Sequence, residues 1–123
     1  MPLDVLIVDD SAAIRKVVQR MLNQAQVPLG KVLEAGDGVE ALAALRQHPV
    51  HLVLTDINMP NMDGLQLLGQ IRGCADWAKI PVIMITTEGG EAKVMEAVQR
   101  GANGYVRKPF TADQIKEKLD GLF

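Results

Sequence analysis

The sequence predicts an α/β fold in which five parallel strands, each followed by a helix, form one sheet covered on both faces. Three observations predict it. Short apolar runs at 5–8 (Val-Leu-Ile-Val), 52–54 (Leu-Val-Leu) and 82–85 (Val-Ile-Met-Ile) stop at turn residues, the habit of strands buried on both faces. Between them lie longer stretches whose apolar residues recur every three or four positions, as on amphipathic helices. The alternation repeats five times along 123 residues without a linker, an internal repeat or a low-complexity tract. Right-handed βαβ units in one domain spanning residues 1–123 are therefore expected.

The elements follow in order. Residues 5–8 form the first strand and run into Asp9 and Asp10. Ser11 is placed to cap a helix, along which Ile14, Val17, Val18, Met21, Leu22 and Ala25 fall at helical spacing until Pro28 and Gly30 close it. A short second strand is expected near Val32 and Leu33. Asp37 opens the second helix with Glu40 three residues on, an Asp version of the capping box. Val39, Leu42 and Leu45 make its stripe, and Pro49 stops it. Residues 52–55 run into Asp56 and a turn-rich loop over 58–64. The third helix turns Leu65, Leu68 and Ile71 inward. Residues 81–85 run into Thr86 and Thr87, and the fourth helix carries Val94, Met95 and Val98 before ending near Gly101. Tyr105, Val106 and Arg107 lead to Lys108 and Pro109. Thr111 and Gln114, at capping-box spacing, start a last helix that buries Ile115, Leu119 and Leu122.

Composition narrows the function. Thirteen basic and fifteen acidic residues leave a net charge of −2, which gives no basic surface for bulk nucleic-acid binding. No apolar stretch approaches the roughly 18 residues that span a bilayer, and the first residues lack the pattern of a signal peptide. The single cysteine, Cys74, has no internal partner, as suits a reducing compartment. A cytoplasmic protein is expected.

The second and fifth strands have the most polar neighbours and are expected at the sheet edges. Strands one, three and four are then interior, in the 2-1-3-4-5 order of flavodoxin-like folds, whose crevice opens between strands one and three. Asp9, Asp10 and Asp56 end those two strands, while Thr86 and Lys108 end the next two. Taken singly, each is an ordinary residue: a solvated acid, a strand-end hydroxyl, a surface lysine. Together they converge beyond the carboxyl ends of one sheet, where three unpaired carboxylates would repel each other. The arrangement implies a cation.

Asp9-Asp10, Asp56, Thr86 and Lys108-Pro109, carried on five βα units, resemble the receiver domain of two-component response regulators over essentially the whole chain. Within that family the runs 86–90 (Thr-Thr-Glu-Gly-Gly) and 101–105 (Gly-Ala-Asn-Gly-Tyr), with no residue after Phe123, resemble the single-domain, CheY-like chemotaxis members. The resemblance implies that Asp56 accepts a phosphoryl group from a CheA-like histidine kinase, in a reaction that needs Mg²⁺, with Mn²⁺ as the alternative ion. Asp10 and Asp56 are expected to ligate the ion directly and Asp9 through a water, and the resemblance adds the backbone carbonyl of Asn58. Lys108 would place its ammonium on the phosphoryl oxygens, and a cis bond to Pro109 would aim it inward. Thr86 would turn its hydroxyl to the phosphoryl group, and Tyr105 would move from exposed to buried. Asn58 and Glu88 would tune the lifetime of the phosphoryl group, and rapid self-dephosphorylation is expected.

The output face is expected on the fourth helix, fifth strand and fifth helix, including Lys93, Arg100, Tyr105, Arg107 and Lys116. Its target would be a flagellar motor switch protein or another protein, contacted by a monomer that binds neither nucleic acid nor membrane. The alternative is a phosphorelay intermediate that hands the phosphoryl group to a histidine phosphotransferase. Two residues depart from the chemotaxis pattern. Ile57 stands where tryptophan is usual, the only tryptophan being Trp77, and Thr87 stands where alanine is common and would narrow access.

Rival chemistries lack their residues. A phosphatase of the haloacid dehalogenase type needs a second aspartate two residues after the nucleophile, and Asn58 stands there. A flavodoxin would set its flavin phosphate against Asp9 and Asp10, and a content of 3% aromatic residues offers no pair to stack on the ring. No G-x-G-x-x-G opens a dinucleotide site. The protein is expected to promote its own phosphorylation and dephosphorylation without being an enzyme on external substrates.

Overall fold

Strands and helices alternate in a computed structural model that describes residues 2–86, 91–108 and 110–122. The order is β1 (Leu3–Val8), α1 (Ala12–Gln24), β2 (Leu29–Ala35), α2 (Gly38–Gln47), β3 (Leu52–Asp56), α3 (Gly64–Arg72), β4 (Val82–Thr86), α4 (Glu91–Gln99), β5 (Gly104–Arg107) and α5 (Ala112–Asp120). The sheet runs β2-β1-β3-β4-β5 with every neighbouring pair parallel. Every residue of β3 and β4 is buried, whereas β2 and β5 mix buried and open positions, as edge strands do.

Successive strand residues point to opposite faces, which divides the core in two. Leu6, Val8, Val53 and Met84 pack with Leu42, Leu45, Leu68, Ile71 and Val94 under α2, α3 and α4. Val5, Ile7, Leu54, Ile83 and Ile85 pack with Val18, Leu22, Ile115 and Leu119 under α1 and α5. Register then sets the site. Val8 pairs with Thr55, so Asp9 and Asp56 leave the sheet side by side, and Thr86 pairs with Arg107, which puts Lys108 beyond the same edge.

Several expectations need correction. The helix α1 ends at Gln24 with Ala25 as its cap, and Gly30 lies inside β2, a seven-residue strand longer than its sequence suggests. Pairing with β1 carries it that far: Leu29 aligns with Leu3, and Asp4 Oδ1 accepts a 2.7 Å hydrogen bond from the Lys31 N–H beside Gly30. Asp37 caps α2 by accepting from the Glu40 N–H at 2.8 Å, but the Glu40 carboxylate reaches past it to the Gly36 N–H. The stripe of α2 is rotated as well, with Ala41 inside and Val39 53% exposed. On α4, Val94 and Ala97 face the sheet while Met95 and Val98 face out, at 61% and 49% exposure. The capping box of α5 forms as its sequence predicts, with Thr111 and Gln114 each accepting from the other's backbone N–H.

Candidate functional site

Asp9, Asp10 and Asp56 offer carboxylate oxygens that all lie within 4.8 Å of one another, the one such acidic cluster among the described residues. Asp9 and Asp56 are buried because they continue two interior strands, while Asp10 begins the loop to α1 and is open to solvent. Asp9 accepts a hydrogen bond on each carboxylate oxygen. Its Oδ1 accepts from the Ser11 N–H at 2.9 Å and its Oδ2 from Lys108 Nζ at 3.0 Å. Its carbonyl accepts a 2.6 Å hydrogen bond from Arg15 Nη1 on α1.

Asp56 Oδ1 accepts from the Ile57 N–H at 2.8 Å, and Oδ2 lies 3.5 Å from Lys108 Nζ. Burial pushes the Asp56 carboxyl above its ordinary range, and the Asp9 charge pushes the same way. Lys108 and the backbone N–H groups of Ile57 and Asn58 only partly offset this. Burial works against the Lys108 charge too, yet the hydrogen bond to Asp9 and the two carboxylate charges outweigh it and raise its pKa. One lysine thus serves two acids, and the second acid is the less well satisfied.

The helix α3 closes the site from below. Its first residue, Gly64, donates its N–H to the Ile57 carbonyl at 2.8 Å, and a Cβ there would collide with the carbonyl oxygen of Asp56. Only glycine lets the helix approach the strand end so closely. Asp63 and Gln66 form a reciprocal capping box that fixes this start.

The structure brings together Asp9, Asp10, Asp56, Asn58 and Lys108 as the sequence leads one to expect. Thr86 ends β4 in a buried position, and its carbonyl accepts from the Lys108 N–H at 2.7 Å. Tyr105 points outward on β5 at 37% exposure, with Lys118 Nζ 5.5 Å from its ring centre. Lys116, also expected on the output face, lines a cleft with Leu3, Val27 and Pro28, and Lys118 is the α5 lysine beside Tyr105. Residues two apart on a helix face roughly opposite ways, so only one of the two lysines reaches β5. Lys93, expected on that face, donates to Asn58 Oδ1 at 2.7 Å. Thr87 and Glu88 lie outside the described residues, as does Pro109 and with it the geometry of the Lys108–Pro109 bond. Trp77 packs near Ile80, ahead of β4 and at the far end of the sheet from the acids.

Arg15 and Lys118 were not singled out from the sequence. A positive residue at every third or fourth position of a surface helix carries no mark of its partner, so no signal distinguished them. The donor set fits a magnesium ion: every donor is a carboxylate oxygen, and the exposed Asp10 leaves room for the waters this ion retains.

Comparison with known proteins agrees with this geometry. The family described as response regulator receiver domain matches residues 5–120. The chain is 43% identical over 119 residues to chemotaxis protein CheY-3 of Vibrio cholerae, covering 97% of this chain and 90% of that one. It is 42% identical over 120 residues to a CheY homolog of Campylobacter jejuni, covering 95% and 89%. Among solved structures, CheY4 of Vibrio cholerae superposes with a TM-score of 0.86 at 32% identity over the whole of both chains. The receiver domain of NtrX from Brucella abortus gives 0.82 at 32% identity, covering 95% of this chain and 98% of that one.

Proposed function

Because this chain belongs to the response regulator receiver domain family, we propose that Asp56 is its phosphoryl acceptor and that a histidine kinase is the donor. The observation that carries the reading is the unequal treatment of the two buried acids. Asp9 accepts short hydrogen bonds on both oxygens, from Ser11 at 2.9 Å and from Lys108 at 3.0 Å. Asp56 keeps one oxygen 3.5 Å from the ammonium and is held above its ordinary carboxylate range by burial. A nucleophile has to retain an oxygen with electron density to give, and of the two buried acids Asp56 holds the more weakly engaged one.

Each neighbouring group has a physical task. Asp9, Asp10, Asp56 and the carbonyl of Asn58 would hold magnesium, which when bound offsets the repulsion between an anionic donor and an anionic acceptor. An Asp56 oxygen attacks the phosphorus in line as the phosphorus–nitrogen bond of the donor's phosphohistidine breaks and the imidazole leaves with the electron pair, and the phosphorylated form carries new oxygens into the reach of Lys108. The lysine then exchanges part of its bonding to Asp9 for the phosphoryl group, a charge-assisted contact. The Thr86 hydroxyl, at the end of the adjacent strand, is placed to follow. Asn58, two residues beyond the acceptor, flanks the path of a hydrolytic water and sets how long the phosphoryl group survives, with Glu88 as its expected counterpart.

Readout would follow from β4 to β5. Tyr105 on β5 and Met95 and Val98 on α4 are exposed, apolar positions that a partner protein could cover. A new anion under Thr86 biases the position of that ring, which makes the α4–β5–α5 face the output surface. The curated relatives are chemotaxis proteins by name, which favours a chemotaxis role, with a motor switch protein as target, over a phosphorelay role. No helix among the described residues is long and apolar enough to cross a membrane, and we place the protein in the cytoplasm.

Incubation with acetyl phosphate and magnesium tests the central step. Intact-mass spectrometry should show one added phosphoryl group, absent without the metal and absent in Asp56→Asn. Labelling that persists in Asp56→Asn at the wild-type level would move the acceptor elsewhere.

A further inference from the structure

Asn58 is held from two sides. Its backbone N–H supports the Asp56 carboxylate, while its side-chain Oδ1 accepts a 2.7 Å hydrogen bond from Lys93 Nζ on α4. Summed bond lengths put that ammonium within roughly 10 Å of the Asp56 oxygens. The lysine is exposed, so the bond adds little to stability. Its effect is to fix the place of a charge. An amide oxygen is a neutral partner and does not cancel an ammonium, unlike the carboxylates that engage Lys108.

We infer that Lys93 selects phosphoryl donors by charge, favouring those that arrive as dianions over those carrying one negative charge less. The inference rests on the reading of Asp56 as acceptor and adds a residue to it that the site's own strand ends do not supply. Two small donors isolate the effect. With acetyl phosphate, an Asp56 oxygen bonds to phosphorus as the phosphorus–oxygen bond breaks, and acetate leaves with the electron pair. With phosphoramidate the phosphorus–nitrogen bond breaks instead, and the nitrogen, which already carries three protons, leaves with the electron pair as ammonia. Near neutral pH the first donor is a dianion and the second a monoanion. One unit charge at roughly 10 Å across a mainly aqueous mouth changes the arrival of one further charge by about two- to threefold.

The test compares initial phosphorylation rates of the full chain with each donor at saturating magnesium and low ionic strength, for wild type, Lys93→Gln and Lys93→Arg. The ratio of acetyl phosphate rate to phosphoramidate rate should fall about two- to threefold in Lys93→Gln and hold in Lys93→Arg. The difference should close in about 1 M salt, where charges are screened beyond about 3 Å. An unchanged ratio in Lys93→Gln overturns the assignment. So does an equal slowing with both donors, which would mean that Lys93 merely props Asn58. If neither donor labels wild-type Asp56, the receiver chemistry itself has failed, and donor selection falls with it.

Discussion

Lys108 stands 3.0 Å from Asp9 but 3.5 Å from Asp56, so the ammonium leans away from the proposed acceptor. Removing it leaves two buried carboxylates facing each other without a counter-charge. Lys108→Met should cost about 2–3 kcal/mol in urea denaturation of the metal-free protein, somewhat under the usual figure for a broken buried pair because the lysine is 20% exposed. Since folding raises the lysine pKa, this contribution is complete at neutral pH. It is lost only as pH climbs past the ordinary lysine value and through the raised one. In the Asp9→Asn background the same substitution should cost clearly less, because the two residues share one interaction. Equal costs in both backgrounds would contradict the pairing.

Magnesium should stabilise what the lysine cannot. At 10–100 times its dissociation constant, an ion bound only by the folded chain adds about 1.4–2.7 kcal/mol. Asp56→Asn removes the acid whose charge burial opposes, so the metal-free variant should melt a few degrees above wild type, for a gain of about 1 kcal/mol. Its response to magnesium should shrink. Asp10→Asn should also weaken the response, but it should leave the metal-free melt nearly unchanged because Asp10 is exposed. Thermal melts with and without millimolar magnesium separate the three proteins, and a wild-type melt indifferent to the ion would sink the cation site.

How much of this was legible in the sequence depends on what each signal encodes. Buried parallel strands read as unbroken apolar runs, so β1, β3 and β4 were plain, as were the acids that follow or end the first two, and the strand order followed from the polar neighbours of the other two. Helix faces were less plain. On α4 the large Met95 and Val98 suggested the core, yet small Ala97 occupies it beside Val94. Spacing gives the period of a stripe, but at its margins side-chain size misleads about which residue faces in. Contacts between loops were not legible at all. Lys93 and Asn58 lie 35 positions apart, and no period links residues that meet only because two strand ends are neighbours.

Arg72 joins α3 to the loops that lead into β4 and β5. Its Nε donates to the Gly101 carbonyl at 3.0 Å, Nη1 to the Ile80 carbonyl at 2.7 Å and Nη2 to Asn103 Oδ1 at 2.8 Å. Gly101 holds φ at +103°, a turn that delivers its carbonyl to the guanidinium. Arg72→Met keeps the apolar stem but removes every donor, Nη1 also reaching the Ala78 carbonyl at 3.3 Å, at a cost of about 3 kcal/mol for four charge-assisted bonds in a partly buried setting. Arg72→Lys should recover little of it, because one ammonium cannot serve four diverging acceptors. Urea midpoints of the two variants within 0.5 kcal/mol of wild type, on the scale of an ordinary surface change, would show that these bonds are replaced by water.

Asp37 gives the acid limb of the stability curve. Its Oδ1 caps α2 by accepting from the Glu40 N–H at 2.8 Å, and its Oδ2 accepts from Asn61 Nδ2 at 2.7 Å. Asn61 reaches it from a left-handed backbone, φ +65°, a conformation that asparagine tolerates better than most residues. The bond from Asn61, then that from the Glu40 backbone, lowers the Asp37 pKa. A carboxyl whose folded pKa is depressed stabilises fully above its unfolded value and loses that contribution as pH falls through the folded one. Asp37→Ala should therefore cost about 1–2 kcal/mol near neutral pH, the usual worth of an N-cap. Asp37→Asn retains a capping oxygen but not the charge, so it should cost less. Its deficit relative to wild type should close as pH is lowered below the ordinary carboxylate range. Urea denaturation of the three proteins across that range measures the gap, and a deficit that stayed constant with pH would show that the charge of Asp37 has no part in holding α2 to the loop after β3.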